Sequence, residues 1–379
     1  MAFFACKDDD NNSTQATATP TDSYPAIQAK FGGVIDLDNL DNYSAQAIPN
    51  YITKDNTTSN SISDKGATLG RVLFYDMELS IDRSISCASC HQQAFAFGDN
   101  NLQSDGVNGG KTGRHSMRLV NSRFSDETQF FWDERAATLE EQTTMPIQDH
   151  AEMGFSGQDG NPDLDDLLGR LQAIDYYQEF FQLVYGDSQV TEERIQNALA
   201  QFIRSIQSFD SKYDAGRSQT PNNNLNFSNF TAKENQGKQL FNTPPNQGGA
   251  GCAGCHRPPE FDIDPNSRNN GVIGNLADNA NDLSNTRAPS LRDLSKDGIL
   301  NGPLMHDGSL ATLEAVIDHY DRIMVDPANN QLDVRLSGGP RGQGQDLQLT
   351  QDEKEALVAF LQTLEGDAIY TDSKWSSPF

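Results

Sequence analysis

One five-residue motif, C-x-x-C-H, occurs twice in the chain and constrains its fold more than any other feature. The first copy lies in "SCASCHQQAFAFGD" and the second in "GCAGCHRPPEFD". Few functions require two thiols followed directly by an imidazole. Two copies of the motif in one chain therefore indicate that the same function occurs twice. The motif residues are Cys87, Cys90, His91, Cys252, Cys255 and His256.

Three chemistries use closely spaced cysteines, and only one of them uses every residue of the motif. A structural zinc site needs four ligands, whereas each copy offers three, and pooling ligands would have to join distant parts of the chain. A redox dithiol does not need the histidine. A covalent haem c takes two thioether bonds from the cysteines and an iron ligand from the histidine. The motifs therefore predict two haem c groups and, because this haem is attached outside the cytoplasm, they predict export.

Length and charge narrow the class of protein. The 379 residues suffice for two domains of ordinary size. Lys and Arg number 28 against 54 Asp and Glu, and the net charge of −26 disfavours nucleic acid and favours cationic partners. No apolar run approaches the ~20 residues that a membrane-spanning helix needs.

The N-terminal segment 1–23 is expected to be a disordered tether. It is rich in Asn, Ser, Thr and Asp and has too few apolar side chains to offset the entropy of ordering. Cys6 is the one cysteine outside the motifs, so no pair is left for a disulfide. Its context "FFAC" resembles the end of a bacterial lipoprotein signal, and the alternative is an unmodified tail cysteine. Because the charged and apolar parts of a full signal are missing, the sequence is expected to begin part-way through one.

After this segment the chain reads as helices and long loops, and its two halves look alike. "LGRVLFYDMELS" precedes the first motif and "TAKENQGKQLFN" precedes the second, and each contains a helix that runs to Leu-Phe. The second helix begins with a capping box, Thr231 and Glu234. We expect a mainly α fold of two cytochrome c-like helical domains, at 24–220 and 221–379, each with one covalent haem c and joined by long loops.

Two more helices and two long loops complete the prediction. Apolar residues at helical spacing predict a helix over 191–216 that ends at a glycine. A helix over 350–366 is predicted to be capped by Thr350. The stretches 99–113 and 266–286 are too long for plain connections, and we expect them to wrap something large and flat.

Several stretches resemble the dihaem bacterial cytochrome c peroxidases and the related MauG enzymes. They are "LGRVLFYDMELS", "FFWDERAATLEEQTTMPIQDHAEMG", "SFDSKYDAG", "PSLRDL" and "MHDGSLATLEAV", and the resemblance covers roughly residues 60 to 370. It implies a peroxidase that reduces hydrogen peroxide to water with electrons from a small donor protein, a cytochrome c or a cupredoxin. Two electrons are needed, and two haems supply one each.

Three residues match positions that the family uses for catalysis. Trp132 matches the tryptophan between the two haems. Gln142 and Glu152, on either side of Pro146, match the pair that lines the distal pocket of the N-terminal haem. A carboxylate there can take a proton from one peroxide oxygen and return it to the other, and burial would raise its pKa toward neutrality. Gln142 can hold peroxide without adding charge. The structural alternatives are a core tryptophan and a solvated loop carboxylate.

The distal ligand of the C-terminal haem is left open between two residues, while the motifs supply His91 and His256 as proximal ligands. In the family the distal ligand comes from the helix after the "HDG" turn, Met in the peroxidases and Tyr in the MauG group. The matching position is Tyr320, on the inward face of that helix. Met305 is the rival, because a thioether raises the haem potential whereas a phenolate would lower it.

Two departures from the family pattern affect the site. The family carries a calcium ion, and the positions that bind it correspond here to His115, Asn301 and Pro303. His115 stands where the family has an asparagine, so a side-chain oxygen ligand is lost. Only backbone carbonyl oxygens, those of Asn301 and Pro303, would remain for calcium. Residues 92–114 contain no histidine, although the well-studied peroxidases close their peroxidatic iron with one. We therefore expect the iron of the N-terminal haem to have a free coordination position, with His115 as the nearest residue that could fill it. His150 is expected to lie on the surface.

The leading prediction is a dihaem peroxidase of a Gram-negative bacterium. We expect it in the periplasm or on the outer membrane, held there by an N-terminal lipid anchor. A homodimer is compatible with this prediction. The first alternative is a MauG-like oxidase acting on a protein substrate. Tyr320 favours it, but besides Trp132 only Trp375 could relay oxidation to the surface. The second alternative is a dihaem electron carrier, against which Glu152 and Gln142 argue because a carrier needs no proton shuttle.

Overall fold

A computed structural model describes residues 23–278, 280–338 and 343–379. The predicted tether up to residue 22, with Cys6, lies outside these ranges. The described residues form twelve α-helices and four strands of two residues, so the mainly α prediction is confirmed. The helices are α1 Pro25–Phe31, α2 Asp64–Tyr75, α3 Cys87–Cys90, α4 Leu139–Gln148, α5 Leu164–Gln172, α6 Asp175–Tyr185, α7 Glu192–Ser205, α8 Lys212–Ser218, α9 Ala232–Asn242, α10 Leu313–Asp321, α11 Gln351–Gln362 and α12 Ala368–Thr371.

The strands form two small antiparallel pairs. β1 His256–Arg257 pairs with β2 Asp262–Ile263, and β3 Ser295–Lys296 pairs with β4 Ile299–Leu300. The first pair follows the second C-x-x-C-H motif directly, so its hairpin fixes the backbone of His256.

A first hydrophobic core forms around the crossing of α2 and α7. Leu69, Val72 and Leu73 of α2 are fully buried in it, and burial of each such side chain contributes about 1.5–3 kcal/mol. The helices cross closely because Gly70 has no side chain: a Cβ there would lie 2.0 Å from the carbonyl oxygen of Ala198.

A second core repeats this arrangement in the C-terminal half. Helix α9 packs on α11, and a Cβ on Gly237 would lie 1.8 Å from the carbonyl oxygen of Ala356. Both glycines begin the same pattern, G-x-x-L-F, which precedes each C-x-x-C-H motif. The two halves thus use one helix-pair design to carry their motifs.

The C-terminal segment returns to the first core. Ile369 and Trp375 are buried among its residues. Nε of Arg71 donates to the carbonyl oxygen of Ser376 at 2.6 Å, and the hydroxyl of Tyr75 donates to the carbonyl oxygen of Trp375 at 2.7 Å. The last residues of the chain therefore tie down the helix that precedes the first motif.

The prediction of one long helix over 191–216 is wrong in one respect: the structure has two helices there, α7 and α8, separated by a non-helical segment. The side chain of Asn121 bonds both backbone groups of Ser208, at 3.1 Å and 2.8 Å, and holds the intervening segment extended. Ser211 then caps α8 in a capping box with Asp214. Tertiary hydrogen bonds override the helical spacing here.

The predicted helix starts at Thr231 and Thr350 are confirmed, since each residue opens a capping box. Within the described ranges, no helix is both long and apolar enough to cross a membrane.

Candidate active site

The first C-x-x-C-H motif borders a cavity of about 500 Å³. Cys87 and Cys90 begin and end the one-turn helix α3, and His91 follows directly. Nδ1 of His91 lies 3.1 Å from the carbonyl oxygen of Phe97. When Nδ1–H donates to that oxygen, Nε2 keeps its lone pair free for a metal. The motif therefore offers two sulfurs and one imidazole nitrogen to a single bound group.

The second motif borders another cavity, of about 620 Å³. Cys252 begins a short 3-10 turn, Cys252–Gly254, and His256 begins β1. Burial lowers the pKa of His256 to about 4, so its imidazole is neutral at physiological pH. Its Nδ1 is buried and has no hydrogen-bond partner among the described residues.

Burial also keeps the motif cysteines as neutral thiols. It raises the pKa of Cys87, Cys90 and Cys252 to about 12, and it raises the pKa of Cys255 as well. A reactive dithiol or a metal thiolate needs a lowered pKa instead. In the part of the chain that the structure describes, no three His, Cys, Asp or Glu side chains are grouped to hold a metal ion. The geometry thus gives no support to the zinc and redox interpretations.

The two rival distal ligands lie together at the second cavity. Met305 and Tyr320 both border it, and Nδ2 of Asn270 contacts both, with Sδ of Met305 at 3.3 Å and the hydroxyl of Tyr320 at 3.2 Å. The amide of Asn270 is oriented by its Oδ1, which accepts from the backbone N–H of Val272 at 3.0 Å. Asn270 therefore contacts both candidate ligands. No sequence pattern predicted this role for Asn270.

Gln142 and Glu152 border the first cavity together. Gln142 lies on α4, whose N-cap Thr138 accepts from the backbone of Glu141. Pro146 lies inside the helix, and because it lacks an N–H it leaves the carbonyl oxygen of Gln142 without its usual helical donor. The helix therefore ends soon after, and the chain turns back to bring Glu152 to the same cavity.

The carboxyl group of Glu152 has the acidity that a proton shuttle needs. Its pKa is raised to about 7, mainly by burial and also by the charge of Asp149, while Arg135 acts in the opposite direction. A group with a pKa near neutrality exchanges a proton readily in both directions.

Glu152 is held in place by the first of the two long loops. The backbone N–H of Val107 donates to the carbonyl oxygen of Glu152 at 2.9 Å. Gly106 lies so close that a Cβ there would be 1.8 Å from the carbonyl oxygen of Ala151. The loop over 99–113 thus supports the segment that carries Glu152, a contact that its composition did not indicate.

Trp132 lies in the wall that the two cavities share, because it borders both. Its Nε1–H donates to the carbonyl oxygen of His115 at 2.8 Å. Its own carbonyl oxygen accepts from the backbone N–H groups of Thr286 and Arg287, at 2.8 Å and 3.1 Å. The indole is thus fixed by segments of both halves. Residues common to the two cavities are His115, Ser116, Met117, Arg118, Trp132, Ala288 and Pro289.

The residues matched to the family's calcium position are neighbours in the structure, but their polar groups have other partners. Nδ1 of His115 lies 3.0 Å from the carbonyl oxygen of Asn101. The side-chain nitrogen of Asn301 donates to the carbonyl oxygen of Asp293 and to the hydroxyl of Tyr370, at 2.8 Å and 2.7 Å. Calcium remains a prediction that these contacts do not strengthen.

Pro303 borders the second cavity. His150 is exposed, as expected, and its Nδ1 contacts the hydroxyl of Ser156 at 3.0 Å.

Both cavities fit a haem group in size and in chemistry. Each has the volume of a cofactor pocket, and each is bordered by both cysteines and the histidine of one motif. The two cavities share a wall.

The family follows from comparison with known proteins. The sequence profile of the di-haem cytochrome c peroxidase family matches residues 64–220. The methylamine utilization protein MauG of Methylophilus methylotrophus is 32% identical over 82% of this chain and 85% of its own length. Cytochrome c551 peroxidase of Nitrosomonas europaea is 29% identical over 79% and 80% of the two chains. The chain therefore belongs to the di-haem cytochrome c peroxidase family, a family of haem oxidoreductases that act on peroxide, with haem c as the implied cofactor.

Solved structures agree with this assignment. The crystal structure of a MauG-like protein associated with microbial copper homeostasis covers 87% of this chain and 98% of its own, with a TM-score of 0.69 and 29% identity. The diheme peroxidase BthA from Burkholderia thailandensis shares the fold, with a TM-score of 0.58 at 21% identity over 88% and 90% of the two chains.

Proposed function

We propose that this protein is a dihaem cytochrome c peroxidase that reduces hydrogen peroxide to water with electrons from a small redox protein. One haem c would be attached at Cys87 and Cys90, and the other at Cys252 and Cys255. The observation that carries the proposal is an asymmetry between two joined cavities. They share Trp132, but among the described residues only the first is bordered by carboxyl groups whose pKa burial raises to near neutrality, Glu152 to about 7 and Glu127 to about 8. Glu127 lies against Arg287, at 3.6 Å, so Glu152 is the one we assign to the proton shuttle.

The chain's own residues then have distinct tasks. A bound haem would supply the redox chemistry and the Lewis acidity for splitting the O–O bond. His91 and His256 would each hold one haem iron through an imidazole nitrogen. Glu152 takes the proton from one peroxide oxygen and delivers it to the other, and Gln142 orients the peroxide by hydrogen bonding. Trp132 bridges the two cavities.

Tyr320 is our first choice for the distal ligand of the second haem, and Met305 is the alternative. Burial raises the pKa of Tyr320 well above its usual range, and the amide N–H that Asn270 donates to the phenol oxygen acts in the opposite direction. The position of this hydroxyl at the second cavity supports the first choice. Replacing Tyr320 with Phe is then expected to change the optical spectrum of one haem, whereas replacing Met305 with Leu leaves it unchanged. The opposite pair of results would identify Met305.

A second candidate function, oxidation of a protein substrate by a MauG-like route, has one observation in its favour: the position of Tyr320 at the second cavity. The tryptophans argue against it. Trp375 is the only one besides Trp132, and it is 2% exposed inside the first core, so it offers no relay to the surface. A plain electron carrier is disfavoured because Glu152 and Gln142 would have no task.

We further propose that the two halves are two haem domains, divided near residue 220, and that the protein works in the periplasm or on the outer membrane through a lipid on Cys6. The export of c-type cytochromes supports this location. A net charge of −26 favours a donor with a basic surface, either a cytochrome c or a cupredoxin. A homodimer and a calcium ion bound by carbonyl oxygens are compatible with this proposal.

The test is peroxide-dependent oxidation of a reduced basic cytochrome c or cupredoxin, followed optically, with the Glu152→Gln variant as the control. We expect turnover in the parent protein and its loss in the variant. Peroxide consumption without donor oxidation, accompanied by oxidised side chains on an added protein, would show that the MauG-like route is the true one.

A further inference from the structure

A buried arginine, Arg118, lies in the wall between the two cavities and borders both of them. Its side chain is 8% exposed, and it comes three residues after His115, whose carbonyl oxygen holds Trp132. No step of the proposed reaction uses Arg118.

Within the described ranges, Arg118 has few partners for its charge. Nη2 donates to the carbonyl oxygen of Ser290 at 3.1 Å, while Nε is buried without a partner, and no carboxylate forms an ion pair with the guanidinium. Burial lowers its pKa to about 10, although Tyr370 and Asp293 act in the opposite direction. A buried charge left unpaired is costly to a fold.

Other buried arginines of the chain are paired with carboxylates. Arg292 is fully buried and holds both carboxylate oxygens of Asp214, at 2.8 Å and 3.0 Å. Arg204 pairs with Glu140. The contrast indicates that the anion expected at Arg118 is supplied by something other than the polypeptide.

A haem group brings such an anion, because each haem carries two propionate carboxylates. Guanidinium groups bind carboxylates through paired, charge-assisted hydrogen bonds. Building on the proposed function, we propose that Arg118 binds a haem propionate in the shared wall and that its positive charge raises the reduction potential of both haems.

The effect on the potential follows from charge alone. Reduction adds an electron to each haem, and a nearby cation stabilises the reduced form. At an effective dielectric constant of about 20, a unit charge about 10 Å away changes such an equilibrium by roughly tenfold or slightly more. Since Arg118 borders both cavities, both haems should respond, and the haem whose propionate it binds should respond more.

The experiment is a spectroscopic redox titration of the haem-loaded protein. In Arg118→Gln, we expect the ratio of reduced to oxidised haem at a fixed potential to fall by about tenfold at both haems, with the larger fall at the haem that supplies the propionate. Arg118→Lys keeps the charge and should stay within about threefold of the parent. Arg83→Gln is the matched control, because Arg83 is exposed and borders neither cavity, and it should shift neither haem appreciably.

Full haem content in Arg118→Gln with both potentials unchanged would overturn the proposal. If that variant does not retain haem, a crystal structure of the haem-loaded parent decides the matter: a propionate oxygen within 3.5 Å of the guanidinium is expected, and its absence would overturn the proposal. A parent protein that carries no haem would instead contradict the proposed function itself, so the two failures can be told apart.

Discussion

The backbone N–H of Val107 donates to the carbonyl oxygen of Glu152 at 2.9 Å, so a residue of the loop over 99–113 fixes the segment that carries the proposed proton shuttle. The loop approaches closely because Gly106 presents no side chain to Ala151. The position of Glu152 therefore depends on this backbone hydrogen bond and on the close approach that Gly106 permits.

Replacing Gly106 with Ala should disturb this segment. The new Cβ would lie 1.8 Å from the carbonyl oxygen of Ala151, so the loop must shift, at a cost of about 1–3 kcal/mol in the free energy of unfolding. Peroxide turnover should fall while both haem spectra stay as in the parent. The control is Gly113→Ala in the next part of the loop, where the nearest atom is 3.8 Å away. Equal turnover in the two variants would contradict a positioning role for the loop.

Replacing Glu152 with Gln should remove most peroxide turnover, by about 10²- to 10⁴-fold, because the amide cannot accept and return the proton. Haem content and optical spectra should be preserved. Glu141→Gln, an exposed carboxylate on α4, is the matched control and should keep parental rates. Turnover of Glu152→Gln within about twofold of the parent would mean that another group carries the proton.

The pH dependence of turnover should report the same carboxyl group. Its pKa is raised to about 7, mainly by burial. The shuttle begins with the deprotonated form, which takes a proton from peroxide, so the rate should rise with pH up to about 7 and then level off. Asp149→Asn removes a charge that raises this pKa, and it should move the midpoint to lower pH. An acid limb that persists unchanged in Glu152→Gln would assign the limb to another group.

The fully oxidised protein should already be open to peroxide at the first haem. The candidate closing ligand, His115, is engaged elsewhere: its Nδ1 contacts the carbonyl oxygen of Asn101 at 3.0 Å, and its Nε2 lies against Gly302, 3.3 Å from where a Cβ would be. We expect a high-spin ferric signal in the EPR spectrum and reaction with peroxide without prior reduction. A purely low-spin spectrum, with activity only after one-electron reduction, would show that His115 or another side chain closes the site.

Much of the site could be predicted from the sequence because its chemistry is local. Each C-x-x-C-H motif places two thiols and an imidazole within one turn of chain, whatever surrounds it. The matched positions of Gln142 and Glu152 lie on one helix and the turn after it, and the structure brings both to one cavity. The roles of these residues stay predictions.

The remainder could not be predicted because it depends on contacts between distant segments. The wall between the cavities joins Trp132 to residues 286–287 through backbone hydrogen bonds, which leave no pattern in the side chains. Asn270 joins Met305 and Tyr320 through its side-chain amide, across segments that lie far apart in the sequence. The break before α8 depends on Asn121, whose hydrogen bonds to Ser208 override local helical spacing.

The measurement that tests the central claim most directly is the intact mass of the denatured protein after expression in a host that matures c-type cytochromes. The account predicts a mass increase of two haem groups, because denaturation removes everything that is not covalently bound. Cys87→Ala with Cys90→Ala, and Cys252→Ala with Cys255→Ala, should each lose one of them. A mass increase of only one haem group would contradict the account. So would a chain without haem that binds zinc in its native state.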